Sequence, residues 1–374
     1  MLTEFVDLAE QYRYLKDEIN SNIQKVLDHG QFILGPEVEE LEHKLAEYAG
    51  VKHAVSCSNG TDALLMPLMA WNIGRGDAVF TTSFSFIATA EVIVLLGATP
   101  IFVDIDPDTY NIDANKLQQA VERIVDEGKL NPRAVIPVNL FGLPADYGRI
   151  CPIAGKYGLK VLEDAAQSFG SSYNGKKSGS LGDAAGTSFF PAKPLGCYGD
   201  GGAILTNDDL LAEKLFSIRV HGKGRNKYEN IRIGLNGRLD TLQAAILLAK
   251  LKIFDEELEK RNRIAFKYTQ GLKKILKTPA NPSHSVSSWA QYPLMADTPD
   301  QREKVRDKLK KAGIPTFVYY PAPLHQQKAF DCLGYQQGDF PISEDVSRRI
   351  FSIPIHPYLK DDLIEKIIEI IQSC

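Results

Sequence analysis

An aspartate and a lysine near the middle of the chain, Asp164 and Lys193, have the residue types and sequence contexts that cofactor chemistry requires. Glu163 and Asp164 follow a short run over residues 159–162 that is rich in Val and Leu, which predicts a short buried strand. Lys193 follows a second predicted strand over residues 185–190, and Pro194 biases the lysine away from helical geometry. Because ligands of open α/β sheets collect at the carboxyl ends of strands, we expect both side chains to face one ligand.

An acid and a lysine in this arrangement favour one cofactor, pyridoxal phosphate. It requires a lysine for its Schiff base and a carboxylate that faces its pyridine nitrogen. Asp164 would keep that nitrogen protonated, because a neighbouring negative charge favours the cationic form. A cationic ring and partial burial would lower the pKa of Lys193, so that its amine could act as nucleophile and proton carrier. Taken alone, neither residue is decisive, since most aspartates after strands are structural and most lysines are solvated.

Three segments around these residues resemble one family of enzymes. They are EDAAQSFG beginning at Glu163, GSLGD beginning at Gly179, and SFFPAKPLGCYGDGGA beginning at Ser188. In residues, order and spacing they are similar to the DegT/DnrJ/EryC1/StrS nucleotide-sugar aminotransferases, which are fold-type I pyridoxal phosphate enzymes. The resemblance extends over essentially the whole chain. It implies an aminotransferase that uses pyridoxal 5'-phosphate, with Lys193 and Asp164 as its catalytic residues.

A further match concerns the phosphate of the cofactor. In the segment SNGTDAL, Asn59 and Thr61 are good N-cap types before a helix predicted over residues 63–71. A helix N-terminus presents free N–H groups to an anion, and the match to the family's phosphate loop makes Gly60 and Thr61 phosphate contacts. The resemblance assigns Phe86 to the face of the ring, Gln167 to its hydroxyl, Ser188 to the phosphate, and Asn236 to the phosphate held by the other subunit. Without it, these residues would be read as core packing, caps and loop hydrogen bonds.

The densest group of basic residues comprises Lys223, Arg225, Lys227, Arg232 and Arg238. Such a group suits a nucleotide diphosphate or a carboxylate, although a run of charges is usually a solvated surface. Within it, GLNGRLD resembles the family's GxNxRxD motif, whose asparagine reaches the cofactor phosphate of the other subunit. The resemblance therefore implies a homodimer with shared active sites, in which Arg238 binds an anion of the substrate.

The family's HYxxPLHxQ segment reads YYPAPLHQQ in this chain, and a strand is predicted over residues 316–320 at its start. Tyr319 replaces the usual first histidine, so the role of that position is open. Tyr320 and His325 are retained as substrate-binding candidates. His356, in the later segment SIPIHPYL, is interpreted as structural.

Strand and helix signals alternate along the first half of the chain, which predicts an α/β fold with a mostly parallel, doubly wound sheet. At 374 residues the chain is long for one hydrophobic core, so a second domain is expected. We place a large cofactor-binding domain at 1–245 and a smaller C-terminal α+β domain at 246–374, with one helix over residues 242–259 between them. The family places the N-terminal helices, over residues 8–29 and 38–49, near the active site and the small domain.

Composition excludes several classes of protein. The 43 basic and 47 acidic residues give a net charge of -4, which offers no broad field for nucleic acid or an anionic membrane. The five cysteines form no CxxC pair, so they predict reduced thiols in a cytoplasmic protein and no metal site. The N-terminus lacks a basic region followed by an apolar run, and no window is apolar enough to predict a membrane span.

The resemblance implies a ping-pong transamination in which L-glutamate is the amino donor and a nucleotide-linked keto sugar is the acceptor. Two segments, TSFFPAKPLGCYGDGGA and RLDTLQAAILLAKLKIFDEEL, are most similar to enzymes that aminate C3 of UDP-2-acetamido-2-deoxy-3-oxo-glucuronate for lipopolysaccharide O-antigen. The alternatives are a C3 or C4 aminotransferase of a dTDP- or UDP-linked 6-deoxy keto sugar, and a non-catalytic regulatory homologue. A dehydratase-type relative is disfavoured because those proteins replace the Schiff-base lysine. A generic nucleotide-binding protein lacks support, since no GxxxxGK[ST] occurs and no GxGxxG follows the first strand.

Overall fold

The computed structural model describes residues 4–226 and 228–374, so Lys227 of the predicted basic group lies outside the described residues. The helices are α1 Leu8–His29, α2 Pro36–Ala49, α3 Gly60–Ala70, α4 Ala88–Leu95, α5 Ala114–Glu127, α6 Tyr147–Tyr157, α7 Asp209–Ile218, α8 Thr241–Leu251, α9 Phe254–Leu272, α10 Pro299–Lys311, α11 Pro341–Arg349 and α12 Asp361–Gln372. The strands are β1 His53–Cys57, β2 Asp77–Thr82, β3 Thr99–Val103, β4 Asn131–Ile136, β5 Lys160–Asp164, β6 Ser172–Tyr173, β7 Lys176–Lys177, β8 Ala184–Ser188, β9 Gly202–Thr206, β10 Ser285–Val286, β11 Tyr292–Met295 and β12 Ile350–Ile353. Short 3-10 helices span Leu140–Gly142, Leu324–Gln326 and Lys328–Leu333.

A seven-stranded sheet in the order β1-β9-β8-β5-β4-β2-β3 forms the centre of the molecule. Its pairs from β8 to β3 are all parallel, whereas β9 is antiparallel to both of its neighbours, β8 and β1. Because β9 reverses the chain between them, β1 and β8 run in the same direction as the rest. The carboxyl ends of β1, β2, β5 and β8 therefore meet at one edge of the sheet, where ligands of such sheets bind.

Helices cover both faces of this sheet. Ala185 and Leu205 pack on one face with α2 and α8, whereas their strand neighbours Ala184 and Ile204 pack on the other face with α3 and α7. Successive side chains of a strand point to opposite faces, so a strand buried on both sides reads as a continuous apolar run. This is the predicted doubly wound arrangement.

The first helix, α1, has the predicted bounds and packs against α8. Asp7 caps it by accepting a hydrogen bond from the Glu10 N–H at 2.9 Å, and Gly30 ends it in the left-handed conformation with φ of 71°. Leu15 and Ile19 are buried against α8. Within residues 4–226 and 228–374, neither α1 nor any other helix combines the length and the apolar character that crossing a membrane requires.

The C-terminal part has a hydrophobic core of its own. Tyr268, Phe351 and Ile367 are fully buried in it, and they come from α9, β12 and α12. β11 and β12 pair antiparallel, and α10 packs against α12. This is the α+β architecture expected of a small domain, while the boundary between residues 245 and 246 stays a prediction.

Two predicted elements are wrong. The expected single helix over residues 242–259 is broken between α8 and α9, because Phe254 turns into the core of the large sheet with its ring centroid 5.7 Å from that of Phe169. No glycine or proline marks this break in the sequence. The strand expected over residues 316–320 is also absent from the described residues, where Phe317 makes an isolated bridge to β12.

Candidate active site

The last two residues of β5 are both carboxylates, and the structure gives them different environments. Glu163 is fully buried, and its side chain accepts hydrogen bonds from Asn139 Nδ2 at 2.8 Å and from the Gly179 N–H at 2.9 Å. Two further donors, the Ser178 hydroxyl and the Leu181 N–H, complete this set. Because protein groups satisfy its oxygens, Glu163 ties the loop after β7 to the sheet and has a structural role.

Asp164 is buried with fewer partners. Its Oδ2 accepts a hydrogen bond from Thr89 Oγ1 at 2.7 Å, and its Oδ1 accepts one from the Ala166 N–H at 3.2 Å. Burial raises the pKa of the Asp164 carboxyl, although these hydrogen bonds and the positive charge of Lys193 act in the opposite direction. A buried carboxylate is ionised most readily beside a cation, and a protonated pyridine nitrogen would supply one.

Lys193 lies on the turn that follows β8, at the same edge of the sheet as Asp164. Its backbone N–H donates to the Phe190 carbonyl oxygen at 2.8 Å, which holds the turn closed. Burial lowers the pKa of the Lys193 amine, and the charge of Asp164 only partly offsets this effect. Within the described part of the chain, Lys193 Nζ has neither a hydrogen bond nor an ion pair. The amine is therefore available as a nucleophile at the ligand-binding edge of the sheet.

The phosphate loop predicted at residues 58–62 forms the start of α3, three residues earlier than expected. Gly60 is the first residue of the helix, and Asn59 Oδ1 caps it by accepting from the Asp62 N–H at 2.8 Å. A Cβ added to Gly60 would lie 2.7 Å from Ser188 Cβ, so only glycine allows the helix to approach the end of β8 this closely. Gly60, Thr61 and Ser188 are thus brought together as a cradle whose free N–H groups and hydroxyls fit a phosphate.

Phe86, the predicted stacking residue, differs in exposure from the nearby Phe84. Phe84 is fully buried, whereas 57% of Phe86 is exposed. The Tyr320 ring lies near both side chains, with its centroid 6.0 Å from that of Phe84 and 6.4 Å from that of Phe86. Phe84 therefore belongs to the core, and Phe86 presents a free aromatic surface that can cover a ring.

Gln167 joins Tyr320 to this group. Gln167 Nε2 donates to the Tyr320 hydroxyl at 3.2 Å, and Gln167 Oε1 accepts from the Phe141 N–H at 2.6 Å. Burial, together with the negative charge of Asp164, raises the pKa of Tyr320, whose phenol therefore stays neutral. Tyr320 consequently lies at the candidate site and can donate a hydrogen bond to a ligand.

Three predicted site residues make no hydrogen bond, ion pair or ring contact, among the described residues of one chain, with the residues around Asp164 and Lys193. His325 is buried elsewhere, with Nε2 3.0 Å from Glu344 Oε1 and its ring against Phe340. Asn236 is exposed, and its backbone forms a bridge to that of Val220. Arg238 is partly buried, and its Nε has no hydrogen-bond partner among the described residues. The roles assigned to all three stay predictions.

Thr89 was missed by the sequence prediction. Its hydroxyl lies 3.0 Å from that of Ser85, one helical turn earlier, and it also donates to Asp164. The spacing of these two hydroxyl residues beside a predicted ligand-binding edge was the available signal. The helix α4 begins at Ala88, which turns Thr89 toward β5.

Comparisons with known proteins show the family of the chain. The model of the "DegT/DnrJ/EryC1/StrS aminotransferase family" matches residues 13–372. A "UDP-2-acetamido-2-deoxy-3-oxo-D-glucuronate aminotransferase" from Pseudomonas aeruginosa is 50% identical over 359 residues, which cover 96% of each protein. The crystal structure of a DegT DnrJ EryC1 StrS aminotransferase from Brucella abortus has a TM-score of 0.96 at 49% identity and covers 99% of each chain. That of S. venezuelae DesV, in complex with a ketimine intermediate, has a TM-score of 0.94 at 34% identity, covering 100% of this chain and 98% of DesV. The predicted fold class is thereby confirmed, and the chain belongs to the DegT/DnrJ/EryC1/StrS aminotransferase family.

Proposed function

We propose that this protein transfers the amino group of L-glutamate to C3 of UDP-2-acetamido-2-deoxy-3-oxo-glucuronate, with pyridoxal 5'-phosphate as its cofactor. The observation that carries the proposal is the pair of Asp164 and Lys193. A buried acid and an amine of lowered pKa face the same edge of the sheet without an ion pair between them. When bound, pyridoxal phosphate supplies an electron sink for the carbanion that forms on the donor and on the sugar.

The residues around the site support this cofactor. Asp164, oriented by Thr89, would hold the proton on the pyridine nitrogen. The N-terminus of α3 and Ser188 would bind the phosphate, and Phe86 would cover one face of the ring and exclude water. Lys193 Nζ would take the proton from the α-carbon of glutamate and later deliver a proton to C3 of the sugar.

The choice of sugar rests on two supports. The 50% identical relative acts, by its name, on the 3-oxo-glucuronate, and the match covers nearly all of both proteins. The resemblance assigns Arg238 to an anion of the substrate, and its guanidinium would suit the uronate carboxylate, which a 6-deoxy sugar lacks. We further propose a cytoplasmic homodimer that serves O-antigen biosynthesis and in which the exposed Asn236 reaches the partner's cofactor phosphate.

A substrate panel tests this function. The purified protein is loaded with pyridoxal phosphate and mixed with glutamate, and 2-oxoglutarate and amino sugar are measured with each keto sugar. Faster amination of UDP-2-acetamido-2-deoxy-3-oxo-glucuronate than of dTDP- or UDP-linked 6-deoxy keto sugars is expected. Amination of the 6-deoxy sugars alone would overturn the choice of substrate. A cofactor band that does not respond to glutamate would favour the regulatory homologue, and the absence of any cofactor band would contradict the proposal.

A further inference from the structure

The turn that carries Lys193 is fixed to one face of α8. Gln243 Oε1 accepts from the Tyr198 N–H at 2.8 Å, and Gln243 Nε2 donates to the Tyr198 carbonyl oxygen at 3.4 Å. Lys250 Nζ donates to the Gly196 carbonyl oxygen at 2.6 Å. Gln243 and Lys250 are two helical turns apart, so they lie on the same face of the helix. Two separate points of the turn are therefore held by one rigid element.

Lys250 is unusual because its ammonium group is fully buried. The Gly196 carbonyl oxygen is its hydrogen-bond acceptor, and the Tyr198 ring centroid lies 4.2 Å from Nζ. Burial lowers the pKa of Lys250 to about 8, although the charges of Glu257 and Cys197 act in the opposite direction. Burying a cation with so few partners is unfavourable, so the stability of the fold does not account for this residue.

The turn itself is too tightly folded to absorb a movement of Gly196. The Cys197 N–H donates to the Phe189 carbonyl oxygen at 2.8 Å, which closes the turn around Lys193. A Cβ added to Gly196 would lie 2.5 Å from the Pro191 carbonyl oxygen, so the two sides of the turn are already in contact. A shift of the Gly196 carbonyl would therefore be transmitted to the backbone of Lys193.

We propose that Lys250 and Gln243 are positioning residues, which hold the turn so that the amine of Lys193 stays directed at the ligand-binding edge of the sheet. The inference rests on the proposed function for the identity of the ligand that Lys193 meets. Neither residue touches that ligand, and both act through the backbone of residues 196–198.

Lys250→Met tests the inference, because methionine has similar length and no charge. Its unfolding midpoint should stay close to that of the wild type, since relief of the buried charge offsets the lost hydrogen bond. We expect kcat to fall about 10-fold or more with the KM for glutamate nearly unchanged, because a misplacement on the order of 1 Å can cost about 10²-fold in rate. Lys250→Gln, which keeps a donor, should recover part of the loss. Lys252→Met removes an exposed lysine just after the same helix and should behave like the wild type.

A second readout needs no sugar and no turnover. The visible absorption of the cofactor-loaded protein is titrated with pH, and the Lys193–cofactor linkage is reduced with borohydride and quantified by peptide mass spectrometry. Lys250→Met should shift the absorption titration and lower the fraction of Lys193 that is trapped. Gln243→Leu should do the same and serves as the test should Lys250→Met fail to fold.

The outcomes separate this inference from the proposed function. A normal wild-type absorption band with an identical titration, trapping and kcat in Lys250→Met and Gln243→Leu would overturn the inference alone. A loss of activity that only follows a lowered unfolding midpoint would overturn it as well, since it would indicate a structural role. A wild-type protein without any cofactor band would contradict the proposed function and this inference with it.

Discussion

Replacing Thr89 by valine should slow transamination without unfolding the protein. Valine matches threonine in shape but cannot donate to Asp164 Oδ2, which Thr89 Oγ1 reaches at 2.7 Å in a buried site. Among the residues that the structure describes, Asp164 then keeps a single donor, the Ala166 N–H at 3.2 Å. With one opposing influence removed, burial should raise the pKa of Asp164 further, and its charge should hold the proton on the pyridine nitrogen less firmly.

The size of the effect follows from that one hydrogen bond. A hydrogen bond to a charged group contributes roughly 1.5–3 kcal/mol. If that free energy stabilises the ionised carboxylate in the transition state, its loss lowers kcat roughly 10- to 100-fold. Because Asp164 must be ionised, the acidic limb of the pH–rate profile should also move to higher pH.

The glutamate half-reaction measures this directly. Single-turnover conversion of the loaded cofactor is followed by absorbance at a series of pH values from about 6 to about 9. Catalytic acids and bases commonly titrate in this range. Thr89→Ser keeps the hydroxyl and should retain most of the rate, so it controls for changes in shape. A Thr89→Val protein with the wild-type rate and an unmoved acidic limb would refute the reasoning about Asp164.

Other substitutions test the remaining parts of the site. Asp164→Asn and Lys193→Ala should each abolish the glutamate half-reaction, and near-normal conversion in either would contradict its assigned role. Gly60→Ala should weaken cofactor binding about 10-fold in equilibrium dialysis, because the new Cβ would lie 2.7 Å from Ser188 Cβ and displace the start of α3; unchanged affinity would exclude the phosphate cradle. Burial lowers the pKa of His356 to about 4. Between about pH 6.5 and about pH 4 the unfolded chain therefore binds a proton that the folded chain does not. The stability of the folded protein consequently falls as the pH falls through this range. His356→Gln should remove up to roughly 3 kcal/mol of this acid sensitivity in pH-dependent thermal unfolding, and an unaltered pH dependence would count against it.

Local patterns in the sequence were sufficient to predict most of the fold. The bounds of α1 follow from its helical periodicity and the glycine stop at Gly30, and both signals act within a few residues. The break between α8 and α9 has no such signal, because it depends on the packing of Phe254 against Phe169, which are far apart in the chain. Short-range patterns cannot report an interaction of that kind.

In the candidate site, too, local patterns could be predicted and long-range contacts could not. Asp164 and Lys193 could be proposed from their strands and the following turn, and the resemblance selected Asp164 over its neighbour Glu163 without giving a physical reason. Only the three-dimensional arrangement shows that Glu163 is saturated by donors from the loop after β7, whereas Asp164 depends on Thr89 from α4. Asn236 was assigned through the resemblance alone, because local sequence patterns carry no information about a ligand that the proposed second subunit would hold.

The order of strands at the centre of the sheet also restricts where the chain can accept inserted residues. β8 and β9 form a hairpin, in which Ser188 pairs with Gly202, and Lys193 lies in the connection between them. Both legs are also paired on their outer sides, to β5 and β1, so neither can slip in register to accommodate an inserted residue. An insertion between Ser188 and Gly202 must therefore bulge into the ligand-binding edge, whereas insertions near the exposed Gly334 turn have solvent to occupy.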